Sequence, residues 1–524
     1  MGALEQDRAR GTLPSPPARR RPADAAVIGI TALVAAVVFL VVRGALIDDA
    51  YITLSYARNL AEHLHWGLTP YRTANSATSP LNVLVLGAAA FVVRDAVWGL
   101  GVVLVVLSGL QAWGLLRLTR ALRLPAWAAL GAALMALLSP LMLAIVGMEM
   151  TLALTLVVWA TVAAAEGRPV LFGVLAALLV LTRVDLAVFP LVLWLTTRTL
   201  RRRSLAVATS ALLTAAPWYV FSWFALGALV PDTLVIKTVS SSAWGPWEFG
   251  NGWDLYLERY PTPVVLAAVP ALAGLLALVV WTVTRAWRYP RWQGLGPVAA
   301  LGLGGVGHYA AYSVLAPPPY HWYYAPSVGA LTIVAALAAG ALARRPAKAL
   351  DPAGDPIADA DRPGRRLPGG VRLPALVGLA LVGAALLVQV AFLVRRAPVW
   401  DYAPITTNWA SAEQYLAMGE DLRDEVGDDV VRSPGEIGTI AYACRCDIVD
   451  LFADRGTLLP QITQREDEAG PVMRALLDLN FVNLDRDVGA AVPDVALDWF
   501  PPGAGRWPVG SPWRGAGSFA LHSP

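Results

Sequence analysis

Leu46-Ile47-Asp48-Asp49-Ala50-Tyr51 closes the first apolar run of the chain, residues 25–42. Carboxylates are expensive in hydrocarbon. At the edge of an apolar run they mark either a water-facing site or a plain exit into solvent. Which holds depends on the side of the membrane they face and on what else faces that side.

The chain has 524 residues, 56% hydrophobic and 15% charged, with a mean hydropathy of +0.54. A soluble domain carries about 25% charge, and a spanning helix needs about 20 apolar residues. Several runs meet that length, so the composition predicts an α-helical polytopic membrane protein. The net charge of +3 matters less than where Lys and Arg cluster. Nothing in the pattern calls for nucleic acid as a partner.

The segment 1–24, rich in Arg and Pro, reads as a disordered cytoplasmic tail. The run 25–42 exceeds the roughly 7–15 residues of a signal-peptide core, and no A-x-A site follows. It reads as a retained first helix. Cys444 and Cys446 are the two cysteines. Their spacing is awkward for an ordinary disulfide and insufficient for zinc, which predicts two small residues in a packed domain.

The positive-inside rule threads the chain. Helix 25–43 leaves the cytoplasm, and 44–95 is external. Within it, 81–93 is apolar but short and reads as interfacial or re-entrant. Spans follow at about 97–116, 125–146, 150–165, 169–182, 186–198, 204–226, 262–283, 294–316, 326–343 and 373–394. This gives about eleven spans in a membrane domain 25–394. The arginine-rich loops lie inside, including Arg117, Arg120, Arg201, Arg288 and Arg291 and the loop 344–372. The segment 395–524 is less hydrophobic and reads as an external soluble α/β domain, with a strand at 429–432 and another at 447–451.

The threading uses only Lys and Arg, yet it places Asp48 and Asp49, Glu149, Arg183 and Asp185, Lys237 and His321 at the outer face. Such a cluster suits transfer of a group carried on a phosphate at the membrane surface. A carboxylate acts as general base on an acceptor hydroxyl. Arg and Lys hold the leaving phosphate. Aromatic residues such as Tyr320 and Tyr323, in Pro319-Tyr320-His321-Trp322-Tyr323-Tyr324, can contact sugar or form a belt.

The residues also form an ordered series. It begins with Asp48-Asp49-Ala50-Tyr51-Ile52-Thr53, Tyr56-Ala57-Arg58-Asn59 and Thr78-Ser79-Pro80-Leu81. Gly147-Met148-Glu149-Met150-Thr151, Leu181-Thr182-Arg183-Val184-Asp185 and Pro231-Asp232-Thr233 with Lys237 follow. Pro434-Gly435-Glu436-Ile437-Gly438 and Asp447-Ile448-Val449-Asp450-Leu451 complete it. The series resembles the GT-C superfamily of integral-membrane glycosyltransferases, in particular its actinobacterial arabinofuranosyltransferase-like branch. It departs from that pattern at Val184, Leu186 and Asp232.

The resemblance implies an enzyme that moves a sugar, arabinofuranose or another pentose or hexose, from a polyprenyl-phosphate donor. The acceptor would be a cell-envelope glycan or lipid at the outer face of the plasma membrane, with inversion. It implies Asp48 or Asp49 as catalytic base, or the pair as anchor for a divalent cation (Mg, Mn or Ca). Hard cations take about six oxygen ligands and two are in view. Arg58, Glu149, Arg183, Asp185, Lys237, Tyr320, His321 and Tyr323 are the expected substrate-binding residues.

Plainer readings stand beside these. Arg58 and Glu62, four apart on a helix, suit a surface ion pair. Glu149 suits a helix start. Arg183 and Asp185 suit a mutual pair. Trp244, Trp247 and Trp253 suit a belt. Two other functions compete: a flippase for a lipid-linked sugar, and a non-catalytic envelope protein that binds glycan. A flippase is expected to show internal repeats and polar residues near the midplane; neither is seen.

Overall fold

The computed structural model describes residues 22–286, 294–344, 373–396 and 399–524. The expected tail up to residue 21, Arg288, Arg291 and the loop 345–372 lie outside the described residues.

Helix α1 (Pro22–Val42) runs into a 3-10 turn and then α2 (Asp48–His63). The polar loop 64–79 leads to α3 (Pro80–Val93), whose proline opens the helix where its missing N–H costs nothing. Asp95 caps α4 (Ala96–Ala121) by accepting from the Trp98 amide at 2.8 Å. Next come α5 (Ala126–Leu137), α6 (Pro140–Ala144), α7 (Met150–Ala165), α8 (Pro169–Thr182), α9 (Val188–Thr196) and α10 (Arg198–Arg202). The long α11 (Ser204–Ala225) precedes two short helices, α12 (Thr233–Val239) and α13 (Gly252–Arg259). Helices α14 (Pro261–Ala286), α15 (Gly296–Leu315), α16 (Ala325–Leu342) and α17 (Leu373–Arg396) complete the bundle.

Among the described residues, seven helices are long and apolar enough to cross a membrane: α1, α4, α11, α14, α15, α17, and α16 with its preceding turn. The other expected spans are helices too, but shorter. The span expected at 125–146 is broken at Ser139-Pro140, because proline cannot continue a helix through its own N–H. The short α7 is almost wholly buried, packed between α4 and α8. Its N-terminus and the C-terminus of α8 stop inside the bundle, and the polar residues Glu149 and Arg183 lie there. By contrast, no residue in the apolar window of α11 is fully buried; the helix packs one side on α8 and leaves the other open, as suits a helix whose outer side meets lipid.

Charged pairs bind the opposite end of the bundle. Arg120 near the end of α4 pairs with Asp24 at the start of α1. Arg117 grips Glu166, just past α7, with its closest contact at 2.7 Å.

The segment after residue 399 forms the α/β unit. Ser411 and Gln414 make a reciprocal capping box on α18 (Ala412–Val426). Then follow β1 (Val431–Arg432), α19 (Gly438–Cys444), β2 (Ile448–Val449), α20 (Arg455–Glu468) and α21 (Pro471–Asn480). Strands β3 (Val495–Phe500), β4 (Trp507–Ser511) and β5 (Gly515–His522) end the chain. The sheet order is β2-β1-β3-β5-β4. β1 is parallel to β2 and β3, and β5 is antiparallel to β3 and β4.

One expectation is overturned here: Cys444 and Cys446 are joined in a disulfide across Arg445. The left-handed conformation of Arg445 (φ 56°) at the end of α19 turns the two side chains toward each other. Their Cα atoms lie 5.1 Å apart, within the range a disulfide spans.

Candidate functional site

Asp48 and Asp49 open α2, and the helix separates their tasks. Asp48 is buried against the soluble unit. Its two carboxylate oxygens accept the backbone N–H of Gly438 at 2.9 Å and of Thr439 at 2.7 Å, at the start of α19. The Asp48 N–H donates to Asn408. Burial raises its carboxyl above the ordinary carboxylate range, against the pull of the amides. The approach demands glycine at 438, since a Cβ there would lie 2.1 Å from the Asp48 carbonyl oxygen.

Asp49 is half-buried and points into a narrow cavity of about 40 Å³. The wall is built from separate parts of the chain. Thr53 comes from α2, Ser76 and Thr78 from loop 64–79, and Glu149 from the turn before α7. Arg183 follows α8, Lys237 sits on α12, Trp322 precedes α16, and Phe452 comes from the soluble unit. Burial pushes the Asp49 carboxyl up to about 7, helped by the charges of Asp48 and Glu149 and opposed by Lys237.

Gly147 keeps the turn before α7 close to this helix. Its φ is +100°, and a Cβ there would meet the Ala50 Cβ at 2.7 Å. That contact sets Glu149 beside Asp49.

Arg183 is buried and tied on three sides. Nη1 donates to Glu149 at 2.9 Å, Nε to Asp185 at 2.9 Å, and Nη2 to the Tyr312 hydroxyl at 2.8 Å. Its guanidinium also lies over the Tyr323 ring. Two of its five N–H groups remain for a ligand. Asp185 sits behind Arg183 and contacts His308 Nε2 at 3.0 Å, while His308 Nδ1 meets Ser327 at 3.0 Å.

Lys237 makes no ion pair among the described residues. Its ammonium rests over the rings of Tyr320 and Tyr323 at 5.7 and 5.0 Å. Burial and the nearby Arg183 lower its pKa. Burial, with the charge of Asp49, raises the Tyr320 hydroxyl to about 12.

Four of the expected residues therefore share one cavity: Asp49, Glu149, Arg183 and Lys237. Asp185, Tyr320 and Tyr323 support them from behind. Arg58, His321 and Asp48 stand elsewhere. Arg58 is buried, donates to the Tyr442 carbonyl at 2.6 Å and lies over that ring. It does not pair with Glu62, which lies 3.7 Å from Arg445 instead. His321 is buried edge-on to Tyr256 and Trp322, and among the described residues neither ring nitrogen has a hydrogen-bond partner. Trp244 packs edge-on against Tyr320, and Trp253 lies against Tyr324.

Each Asp48 oxygen already accepts one backbone amide, so a cation held by the Asp48–Asp49 pair would use the lone pairs that remain. Among the described residues, no group of three or more His, Cys, Asp or Glu converges to hold a metal.

The sequence reading missed His308, Tyr312 and Arg455, and named Trp322 only within the aromatic run. His308 carried a signal, as an ionisable residue inside an apolar run. Arg455 carried none. It forks onto Asp232 with a closest contact of 2.9 Å, tying α20 to the start of α12. The motif residue Asp447 similarly grips Arg72 of loop 64–79 at 2.8 Å, and Asp450 caps its own turn through the amides of Phe452 and Ala453. These tail motifs hold the cavity walls in place.

No protein-family model and no curated protein sequence matches the chain. Solved structures do match. ArnT from Cupriavidus metallidurans, bound to undecaprenyl phosphate, superposes with a TM-score of 0.56 at 14% identity, over 95% of this chain and 97% of that one. The Archaeoglobus fulgidus oligosaccharyltransferase tethered to an acceptor peptide gives 0.50 at 13% identity, over 91% and 69%. The mycobacterial arabinofuranosyltransferase AftD gives 0.44 at 16% identity, over 78% and 30%, and no weight rests on it. From the first two likenesses, the chain has the fold that ArnT and this oligosaccharyltransferase share.

Proposed function

We propose that this protein is a glycosyltransferase that moves a sugar from a polyprenyl-phosphate donor to a cell-envelope glycan or lipid acceptor. The observation that carries this reading is the cavity in which Asp49 faces Lys237 and Arg183. A base and two cations at the end of a GT-C helix bundle are the groups such a transfer needs. ArnT, of the same fold, is described with undecaprenyl phosphate bound, and this supports a lipid-borne donor.

In this reading Asp49 takes the proton of the acceptor hydroxyl. A carboxyl near 7 is matched to that task, because it ionises readily at neutral pH and is basic enough to hold the proton. The acceptor oxygen bonds to the anomeric carbon from the face opposite the phosphate. The bond between that carbon and the phosphate oxygen breaks, and the electron pair leaves with the lipid phosphate. Lys237 meets the phosphate as the cavity cation with no carboxylate partner among the described residues. Arg183 adds its two remaining N–H groups. Glu149 and Asp185 orient Arg183. The cavity is narrow, so donor binding is expected to widen it.

In this reading the site lies on the outer face, with the N-terminus cytoplasmic and the soluble unit extracytoplasmic. The Cys444–Cys446 disulfide supports this, since disulfides persist in oxidising compartments. The sugar, arabinofuranose or another pentose or hexose, is a choice for experiment. Purified protein is incubated with a panel of polyprenyl-phosphate sugars and envelope acceptors, and the product is followed by mass spectrometry. One donor is expected to give an acceptor-dependent product that Asp49→Asn abolishes. Equal turnover by that variant sinks the catalytic assignment. The same assay run in EDTA reads whether transfer needs a divalent cation.

A further inference from the structure

A second, wider cleft lies on the soluble unit and shares no lining residue with the cavity around Asp49. It has a volume of about 640 Å³ and is lined by Trp409, Trp499, Phe500, Asp498, Arg514 and His522. It is a wide depression open to solvent, and like small-molecule sites it pairs aromatic walls with a few polar groups.

Its charges are not balanced. Asp498 is matched by Arg432 at 2.9 Å and by the His522 ring. Arg514 has no such partner. Its guanidinium lies against two indoles, 3.7 Å from the Trp409 ring centre and 4.5 Å from that of Trp499. Among the described residues that guanidinium makes no hydrogen bond and no ion pair. Stacking engages the faces of the planar group and leaves its in-plane N–H fork unused. A fork held this way matches a carboxylate or a phosphate.

We infer that this cleft binds an anionic saccharide, a sugar bearing a carboxylate or a phosphate, with Arg514 gripping the acid and the aromatic walls and Asp498–His522 taking the ring. The cleft is far larger than an inorganic ion, and its Asp498 and His522 suit neutral hydroxyls, which a bare anion lacks. The inference does not depend on the transfer reading. The two sites are nevertheless linked through one segment. The Trp409 N–H donates to Glu436 at 2.9 Å, and Glu436 lies two residues before Gly438, which holds Asp48.

The test uses full-length protein in detergent micelles, read by calorimetry and tryptophan fluorescence. The probes are a glucuronate-containing disaccharide, its neutral glucose counterpart, glucose 1-phosphate, inorganic phosphate and a diglutamate peptide. At least one anionic sugar is expected to bind tenfold or more tighter than the neutral one. A preference between the two identifies the acid as uronate or phosphate. Arg514→Gln is expected to erase the difference, Arg514→Lys to keep part of it, and Asp49→Asn to leave it unchanged. Arg514 is exposed, so these variants should fold. The inference fails if no sugar binds saturably, if the neutral sugar, phosphate or peptide binds as tightly as the anionic sugars, or if Arg514→Gln binds like wild type.

Discussion

Asp48 and Asp49 are adjacent carboxylates with different surroundings, and substitution separates them. Asp48→Asn leaves one oxygen for two backbone N–H groups and removes the charge that strengthens both bonds. A loss of about 2 kcal/mol follows for hydrogen bonds to a charged group, read as a lower thermal midpoint. Among the described residues Asp49 accepts no amide from outside its own helix turn, so Asp49→Asn is expected to leave the midpoint nearly unchanged while transfer falls below detection. Asp49 also predicts a pH dependence. Its carboxyl, raised to about 7 by burial and its acidic neighbours, must be deprotonated to act as base. Transfer is therefore expected to rise as pH increases through about 7 and to level off above it. A profile flat from pH 5 to 9 argues against Asp49 as base.

At the scale of elements, two junctions decide the cavity. The break between α8 and α9 presents Arg183 to Glu149, Asp185 and Tyr312. Arg183→Gln leaves two buried or half-buried carboxylates without their cation. Breaking such a pair costs roughly 3–5 kcal/mol, so this variant is expected to express poorly. Glu149→Gln keeps a hydrogen-bond acceptor for Arg183, so it should fold and lose activity less than Asp49→Asn. The second junction is the start of α19 on Asp48. Gly438→Ala pushes a methyl group into the Asp48 backbone, and overpacking of this kind costs about 1–3 kcal/mol. Limited proteolysis between α17 and α18 should accelerate in that variant while α1 to α17 stay protected.

At the scale of the whole molecule, the soluble unit is a wall of the site. It is bolted on by Arg455–Asp232, Arg72–Asp447 and the Asp48 amides. Asp232→Ala strands Arg455, so cavity activity is expected to fall although Asp232 itself lines no part of the cavity. Thermal unfolding checks that the drop exceeds what partial unfolding explains. Orientation belongs to this scale as well. A reporter fused after Pro524 is expected to read extracytoplasmic, and a cytoplasmic readout overturns the threading and with it the outer-face site.

The sequence alone determined the helical membrane class, the order of the apolar segments and the candidate polar clusters. Hydrophobic length and the spacing of Lys and Arg are local quantities that a single chain displays. The motifs around Asp48, Glu149, Arg183 and Lys237 were legible for the same reason. The division of labour between Asp48 and Asp49 was not, because it depends on which backbone amides arrive from some 390 positions away. The disulfide at Cys444 and Cys446 needed the left-handed turn at Arg445. His321 left the candidate set because its burial comes from Tyr256 and Trp322 together, and His308 entered behind Asp185 because α15 meets the α8–α9 break. Which polar group meets which is set by long-range packing, so only the tertiary structure decided it.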